Sequence, residues 1–460
     1  MKRFCSVTAM FLAVILLFSV FAGCGTDAPD ESRPQEAGTT AAPARTSAEP
    51  AATTVGPEYT ASPVNPPETP EEASFSVWKS AQSESFLSGR EEDAPLYAAR
   101  AEGFLASSGI ALKETVTEDL RNAVTNGVLS GDVPDILLLN VRTEGTPLFC
   151  AGVLQDLSAA GIGLSAESDC TVLTLTQDLM YNGRLFLVPY RGLLSDVSAS
   201  FAVSVRNRSD AYLKLNKAFL QGEYTLDTVL SYLREWEELD PETMADEWSD
   251  VSSEEYLTFE NPAIGGGSKA LEALFFGAGG RVMWPGKTPE IRVYSLPFSD
   301  AFTAASAFAP HLSDREETIG ISVLSERNTQ ERTLLPLPKI SSSAVYMTPV
   351  EAENLTVVAA AGGLVYGQRA AEMLQLLSDL SAELRTAAVL SEDLPAQTAE
   401  ILFSTQHVDL AKIYTWGDLY DMVFSYLGSA GYSALANNAE LDRRIKVADN
   451  AAEIVRSRYP

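Results

Sequence analysis

"DVPDILLLN", residues 132–140, runs four large apolar residues in succession behind a Pro and an Asp. A strand with one wet face would alternate apolar and polar residues. An unbroken run is the pattern of a strand covered on both faces, as in a parallel sheet. Working backwards, "DLRNAVTNGVLSG" (119–131) has helical spacing and "IALKETVTE" (110–118) reads as a strand. "DAPLYAARAEGFLASSG" (93–109) reads as a helix ending at Gly109, and "SFSVW" (74–78) as a short strand. Strand, helix, strand, helix, strand predicts a parallel α/β sheet with right-handed crossovers. "AGVLQDLSAAG" (151–161) and "MYNGRLFLVPY" (180–190) are expected to continue it.

Working forwards, the pattern turns mixed. "SASFAVSVRN" (198–207) reads as a strand, and "TLDTVLSYLREWEEL" (225–239) as a helix with Thr225 as N-cap behind Gly222. The Gly-rich "IGGGSKALEALFFGAGG" (264–280) follows, then "EIRVYSLPF" (290–298), read as a strand. Residues 366–460 read as largely helical. In "RAAEMLQLLSDLSAELRTAAVL" (369–390), Met373, Leu377, Leu380 and Leu384 fall on one face. That stripe lasts under four heptads, so it predicts packing on a core, not a coiled coil.

Composition narrows the function. The chain has 460 residues, 33 Lys+Arg against 62 Asp+Glu, and a net charge of −29. Phosphate backbones need clustered cations, so nucleic acid is excluded as a partner. The two histidines, His311 and His407, are too far apart in sequence for a local metal motif, and no metal or cofactor is expected. "GGRVMWPGKT" (279–288) imitates a phosphate loop, but Arg281 stands where its first Gly should be. No nucleophile elbow and no H-E-x-x-H occurs, so no catalytic residue is assigned. Acidic runs such as Glu235, Glu237 and Glu238 read as a solvated helix face.

The amino terminus reads as an address. Two cations, Lys2 and Arg3, precede a charge-free apolar run that ends at Cys24. The order of basic, apolar, small and Cys resembles a bacterial lipoprotein signal, with "VFAGC" (20–24) as its lipobox and Phe21 in place of the usual Leu. The resemblance implies lipidation at Cys24 and loss of the signal peptide, residues 1–23. An ordinary secretory signal with a coincidental Cys is the competing reading. Residues 24–74 hold the lipidated Cys and a Pro/Ala/Thr/Glu-rich stretch with 9 Pro, expected to be a disordered tether. Of the remaining cysteines, Cys5 lies in the signal. Cys150 and Cys170 are either a disulfide, permitted outside the cytoplasm, or two buried free thiols.

Several blocks in fixed order resemble the extracellular solute-binding proteins, family 1, of ABC importers, in their Gram-positive lipoprotein form. They are "GDVPDILLL" (131–139) with "AGVLQDLSAAG", "LTQDLMYNGRLFLVPY" (175–190), and "VSVRNRSDAYLKLN" (203–216) with "GEYTLDTVLSYL" (222–233). "LFFGAGGRVM" (274–283), "RTLLPLPKI" (332–340) and "VYMTPVEAENLTVVA" (345–359) complete the series, which covers most of 130–427. The chain departs from the family pattern at Tyr224, which replaces a Trp, and at Val205, Arg206 and Asn207. The stretch "LDPETMADEWSD" (239–250), where relatives often carry a calcium-type loop, lacks the Gly and alternating oxygens such a loop needs. The chain is thus read as a divergent member.

The resemblance implies an α/β, two-lobe, periplasmic-binding-protein-like (type II) fold with an interlobe ligand cleft and a helical C-terminal segment. Lobe 1 would comprise residues 75–190, with 338–365 returning to it. Lobe 2 would comprise 191–337, with 366–460 as its helical completion. The implied function is capture of a small solute, a carbohydrate first, by a monomer held by lipid on the extracellular face of the cell membrane and docking on ABC permease subunits. It is not read as an enzyme. The alternatives are a sensor or scaffold lipoprotein on a degenerate binding fold, and a cell-surface glycan-acting enzyme.

Sugar clefts use aromatic faces and a few fixed polar groups. Trp78 lies at the end of the first strand, Asn140 and Arg142 at the end of "DILLLN", and Tyr190 and Tyr346 at the two crossings. Trp284 follows the Gly-rich segment, and Trp416 stands near a helix start. These seven are the candidate ligand contacts. Each aromatic has core or rim packing as its plainer reading, most of all Trp416, whose neighbours Ile413, Tyr420, Phe424 and Leu427 share its helical face.

Overall fold

The computed structural model describes residues 73–86, 94–162, 171–238, 263–286, 289–326, 331–391 and 394–459. Cys24, expected to carry a lipid, residues 25–72 of the expected tether, Cys170 and the 239–250 stretch lie outside them, and residues 73 and 74 belong to β1.

Strands β1 (Ala73–Lys79), β2 (Ile110–Val116) and β3 (Ile136–Asn140) are parallel, with β1 between the other two. The helix Ala94–Ser108 connects β1 to β2, and the helix Leu120–Ser130 connects β2 to β3. Local chemistry sets the ends of the second helix. The Asp119 carboxylate accepts from the Asn122 N–H at 3.2 Å, and Gly131 ends the helix at φ +77°, a conformation that a Cβ would strain.

All five residues of β3 are buried. The period of two sends Ile136 and Leu138 into one hydrophobic cluster, with Phe75, Val77 and Leu105. Leu137 and Leu139 enter a second cluster, which continues through Phe186 and Phe201 to Val203, Val205 and Ile319. A single strand therefore belongs to two cores, which is why its sequence shows no alternation.

The continuation expected at 151–161 and 180–190 does not form. Both stretches are turns carrying isolated bridges only, such as Leu154 to Ala361 and Val188 to Val358. Asn182 and Gly183 take positive φ, so Tyr181 and Arg184 pair with each other at 2.9 and 3.0 Å instead of joining the sheet.

Strand β4 (Phe201–Arg206) opens a second sheet, built with β5 (Ile264–Gly265), β8 (Leu312–Ser313), β9 (Ile319–Val323) and β10 (Arg332–Leu335). Its order is β10–β4–β9–β5–β8, with β4 antiparallel to both neighbours. Between β5 and β8 lie the helix Gly267–Gly277, the short hairpin of β6 (Met283–Trp284) with β7 (Glu290–Ile291), and the helix Leu296–Ser306. The long strand expected over 290–298 is thus two residues long. Ser295 caps the following helix, accepting from Phe298 N–H at 3.4 Å, and Pro297 starts it.

Strand β11 (Thr348–Pro349) pairs with β13 (Gln406–His407), while β12 (Thr356–Ala359) returns antiparallel to β3 and completes the first sheet. The described residues form an α/β protein with two lobes, one around each of the two larger sheets, as the resemblance implied. A further expectation fails. The stripe Met373, Leu377, Leu380 and Leu384 packs in the cluster of Phe75 and Val77, on the first sheet, and not on the second lobe. Its helix is also two helices, Leu364–Leu376 and Ser378–Ser391, broken at Leu377. The final helix, Ala439–Arg458, lies in the cluster that joins the sheets.

Candidate functional site

The three parallel strands end on one edge, at Lys79, Val116 and Asn140. Open α/β sheets bind ligands beyond the carboxyl ends of their strands, where loops converge and backbone dipoles point outward. A cleft of about 420 Å³ lies there, lined by Ser80, Gln82, Glu118, Arg121, Thr143 and Glu144 among others. Each group comes from the first residues past a strand end. None of the described residues lining it is aromatic.

The cleft floor is braced by side chains that bind backbone. Asn140 Oδ1 accepts from the N–H groups of Arg142 and Thr143 at 3.1 and 3.0 Å, and Asn140 Nδ2 donates to the Glu353 carbonyl at 2.6 Å. This holds a five-residue π-turn, Val141–Gly145, open at the strand end. The Glu144 carboxylate accepts from Asn140 N–H at 2.8 Å and from the Ser83 hydroxyl at 3.3 Å, tying the turn to the loop after β1. Ser80 and Ser83 share a hydroxyl contact at 3.1 Å. Against that fixed floor, Gln82, Glu118 and Arg121 are exposed. The arrangement offers an amide, a carboxylate and a guanidinium to a solute.

The structure does not gather the seven candidate contacts. Asn140 and Arg142 sit at the cleft edge, but Asn140 is spent on capping and Arg142 forms an ion pair with Glu353. Trp78 is half-buried in β1, beside Thr115 and Leu137. Tyr190 is buried, its hydroxyl bonded to Ser381 and its ring edge-on to Phe86 at 5.7 Å. Trp284 lies in the second lobe, with the guanidinium groups of Arg281 and Arg292 5.4 and 5.5 Å from its ring. Tyr346 is half-buried with the Lys339 ammonium 5.0 Å above it. Trp416 is buried and stacked on Tyr414 at 4.4 Å. Those five aromatics do not line the cleft. The residues that do are mostly polar or charged, and an expectation built on aromatic faces passes over them. The usable signal was the polar stretch within about five residues of each strand end, "SAQS" (80–83), "TEDLR" (117–121) and "RTEG" (142–145).

Two charged clusters lie elsewhere. The buried Asp178 carboxylate accepts from Arg281 Nη1 at 2.8 Å and Val408 N–H at 2.9 Å, with His407 Nδ1 at 3.0 Å. Beside it, burial pushes the Asp409 carboxyl up to about 6, although the N–H groups of Ala411 and Val282 oppose the shift. In the second cluster, Lys412 reaches Glu272 at 2.7 Å and Glu353 at 3.1 Å. Burial pulls its ammonium down, and the two carboxylates outweigh that and hold it above its ordinary range. Cys150 carries a half-buried free thiol, which burial shifts upward.

No protein-family model and no curated protein matches the chain. Solved structures do. The apo-form of RafE from Streptococcus pneumoniae matches over 84% of this chain and 100% of its own, at 10% identity and TM-score 0.47. The cyclic alpha-maltosyl-1,6-maltose binding protein from Arthrobacter globiformis matches over 84% and 99%, at 12% identity and TM-score 0.47. A cyclo/maltodextrin-binding protein complexed with maltotetraose matches over 84% and 98%, at 13% identity and TM-score 0.48.

Proposed function

We propose that the protein captures a small polar solute, a saccharide first among them, and delivers it to the permease of an ABC importer. It acts by binding and not by chemistry. Cys24 would carry the lipid that holds it at the extracellular face of the membrane. The observation that supports this reading is the polar cleft at the common carboxyl edge of β1, β2 and β3, with Gln82, Glu118 and Arg121 exposed on a hydrogen-bonded floor. An amide, a carboxylate and a guanidinium match the donor and acceptor hydroxyls of a sugar.

Thermal unfolding of the purified protein against saccharides, amino acids and peptides tests the reading. A ligand at 100 times its dissociation constant adds about 2.7 kcal/mol, a shift of a few degrees. A rise with one saccharide class supports it. A response to amino acids or peptides alone overturns the saccharide, and silence across the panel overturns solute capture.

A further inference from the structure

Three separate structural connections cross between the lobes. The first is buried. Asp178 lies on the helix Leu173–Leu179, ahead of the first crossing, and Arg281 follows the Gly267–Gly277 helix of the second lobe. Their side chains are 2% and 6% exposed and meet at 2.8 Å. The same carboxylate accepts the Val408 N–H, so β13 and its continuation are held in the clamp too.

The second connection is a chain of charges. Arg142, past the end of β3, pairs with Glu353 on the return crossing. Glu353 pairs with Lys412 at 3.1 Å, and Lys412 with Glu272 of the second-lobe helix at 2.7 Å. The third is the 20-residue helix Ala439–Arg458, about 30 Å of rigid rod. Near its start, the Tyr294 hydroxyl from the second lobe donates to Asp442 at 2.7 Å. Near its end, the Tyr181 hydroxyl donates to the Ala452 carbonyl at 3.0 Å. Just past it, the Tyr459 ring stacks on Phe149 at 5.0 Å and the Tyr459 hydroxyl donates to the Phe149 carbonyl at 3.0 Å.

Lobe closure by a hinge needs a few residues to absorb the rotation while the facing surfaces stay separable. Here rotation would part a buried carboxylate from the buried guanidinium it pairs with, at the cost of an ion pair removed from water. It would also shear one continuous hydrophobic cluster that runs from Leu137 of β3 to Ile319 of β9. We propose that the two lobes are locked in a single arrangement by the Asp178–Arg281 clamp, the Arg142–Glu353–Lys412–Glu272 chain and the carboxy-terminal helix, so that the cleft at the edge of the first sheet admits its solute without lobe closure.

Amide hydrogen exchange of the solute-free, full-length protein, resolved to single residues by fragmentation mass spectrometry, tests this without reference to any ligand. The Val408 amide reports the clamp, and the Leu138 amide reports global opening of the first sheet. A lock requires Val408 to exchange within about threefold of Leu138, because only global unfolding frees it. Exchange at Val408 about a hundredfold faster than at Leu138 reveals a sub-global lobe opening and overturns the lock. The Arg281→Met variant, if it folds, sharpens the result. Acceleration of about tenfold at Val408 with Leu138 unchanged supports the clamp. Equal acceleration at both sites, or none at either, overturns it. The comparison in the unsubstituted protein decides even if the variant does not fold.

Discussion

The Arg385 guanidinium holds the Asp196 carboxylate by two parallel hydrogen bonds, at 3.0 and 2.6 Å, in the protein interior. Arg385 belongs to a helix on the first sheet, and Asp196 to the crossing that leads away from it. Gln406 closes the group, donating to the Asp196 carbonyl at 3.0 Å and the Ser200 hydroxyl at 2.9 Å. Removing one partner leaves the other charge buried and alone. Asp196→Ala should therefore destabilise the fold by about 3–5 kcal/mol, whereas a double replacement of Asp196 and Arg385 by apolar residues of similar volume should cost far less. Denaturant unfolding of the two variants checks this. Equal losses would show that the pair is not the source.

Asp409 makes stability depend on pH. Its folded carboxyl titrates at about 6, above the unfolded value near 3.9, because burial disfavours the charge. The folded state therefore binds this proton more tightly than the unfolded chain does. The contribution is fully present below pH ~4 and is lost as pH rises through ~6, a change of about 3 kcal/mol. An Asp409→Asn variant has no such titration. The stability of the native protein relative to that variant should fall by about that amount between pH 4 and pH 7. A pH-independent difference in chemical denaturation would contradict it.

Arg121 and Glu118 are exposed in the cleft and make no structural ion pair among the described residues. Arg121→Ala and Glu118→Gln should each weaken solute binding about tenfold, or about 1.4 kcal/mol, and leave the melting temperature of the free protein within about a degree. Titration calorimetry measures the first quantity and calorimetric scanning the second. Unchanged affinity in both variants would place the solute elsewhere.

Tyr459, the residue that follows the helix Ala439–Arg458, is buried against Phe149 and Phe186. Tyr459→Ala should cost about 3–5 kcal/mol, as truncating a large core aromatic does. A loss below about 1 kcal/mol in urea unfolding would show that this packing contributes little.

The first sheet was readable because every local signal agreed there: the unbroken run at 136–139, the Asp119 cap, and the glycines at 109 and 131. Reading failed where a turn or cap outweighed strand-like composition, at Asn182–Gly183 and at Ser295–Pro297. It failed again where partners were distant in sequence. Nothing near Tyr190 announces Ser381, and nothing near Arg142 announces Glu353. The candidate aromatics are good packing material for the same reason they are good sugar platforms, a large flat apolar face. Residue type alone could not separate the two uses, and most of the seven are taken up by ion pairs, capping or packing.

The pairing of β12 with β3 joins Thr356 to Asn140, residues some two hundred positions apart. During synthesis, the first sheet therefore lacks its fourth strand until the whole of the second has been made. The early segment must wait with one side of β3 unpaired, and its fast-forming α/β units cannot mature alone. Such a chain folds slowly and late. Until Thr356–Ala359 has been made, that open side of β3 is an unpaired strand edge on which another chain could pair.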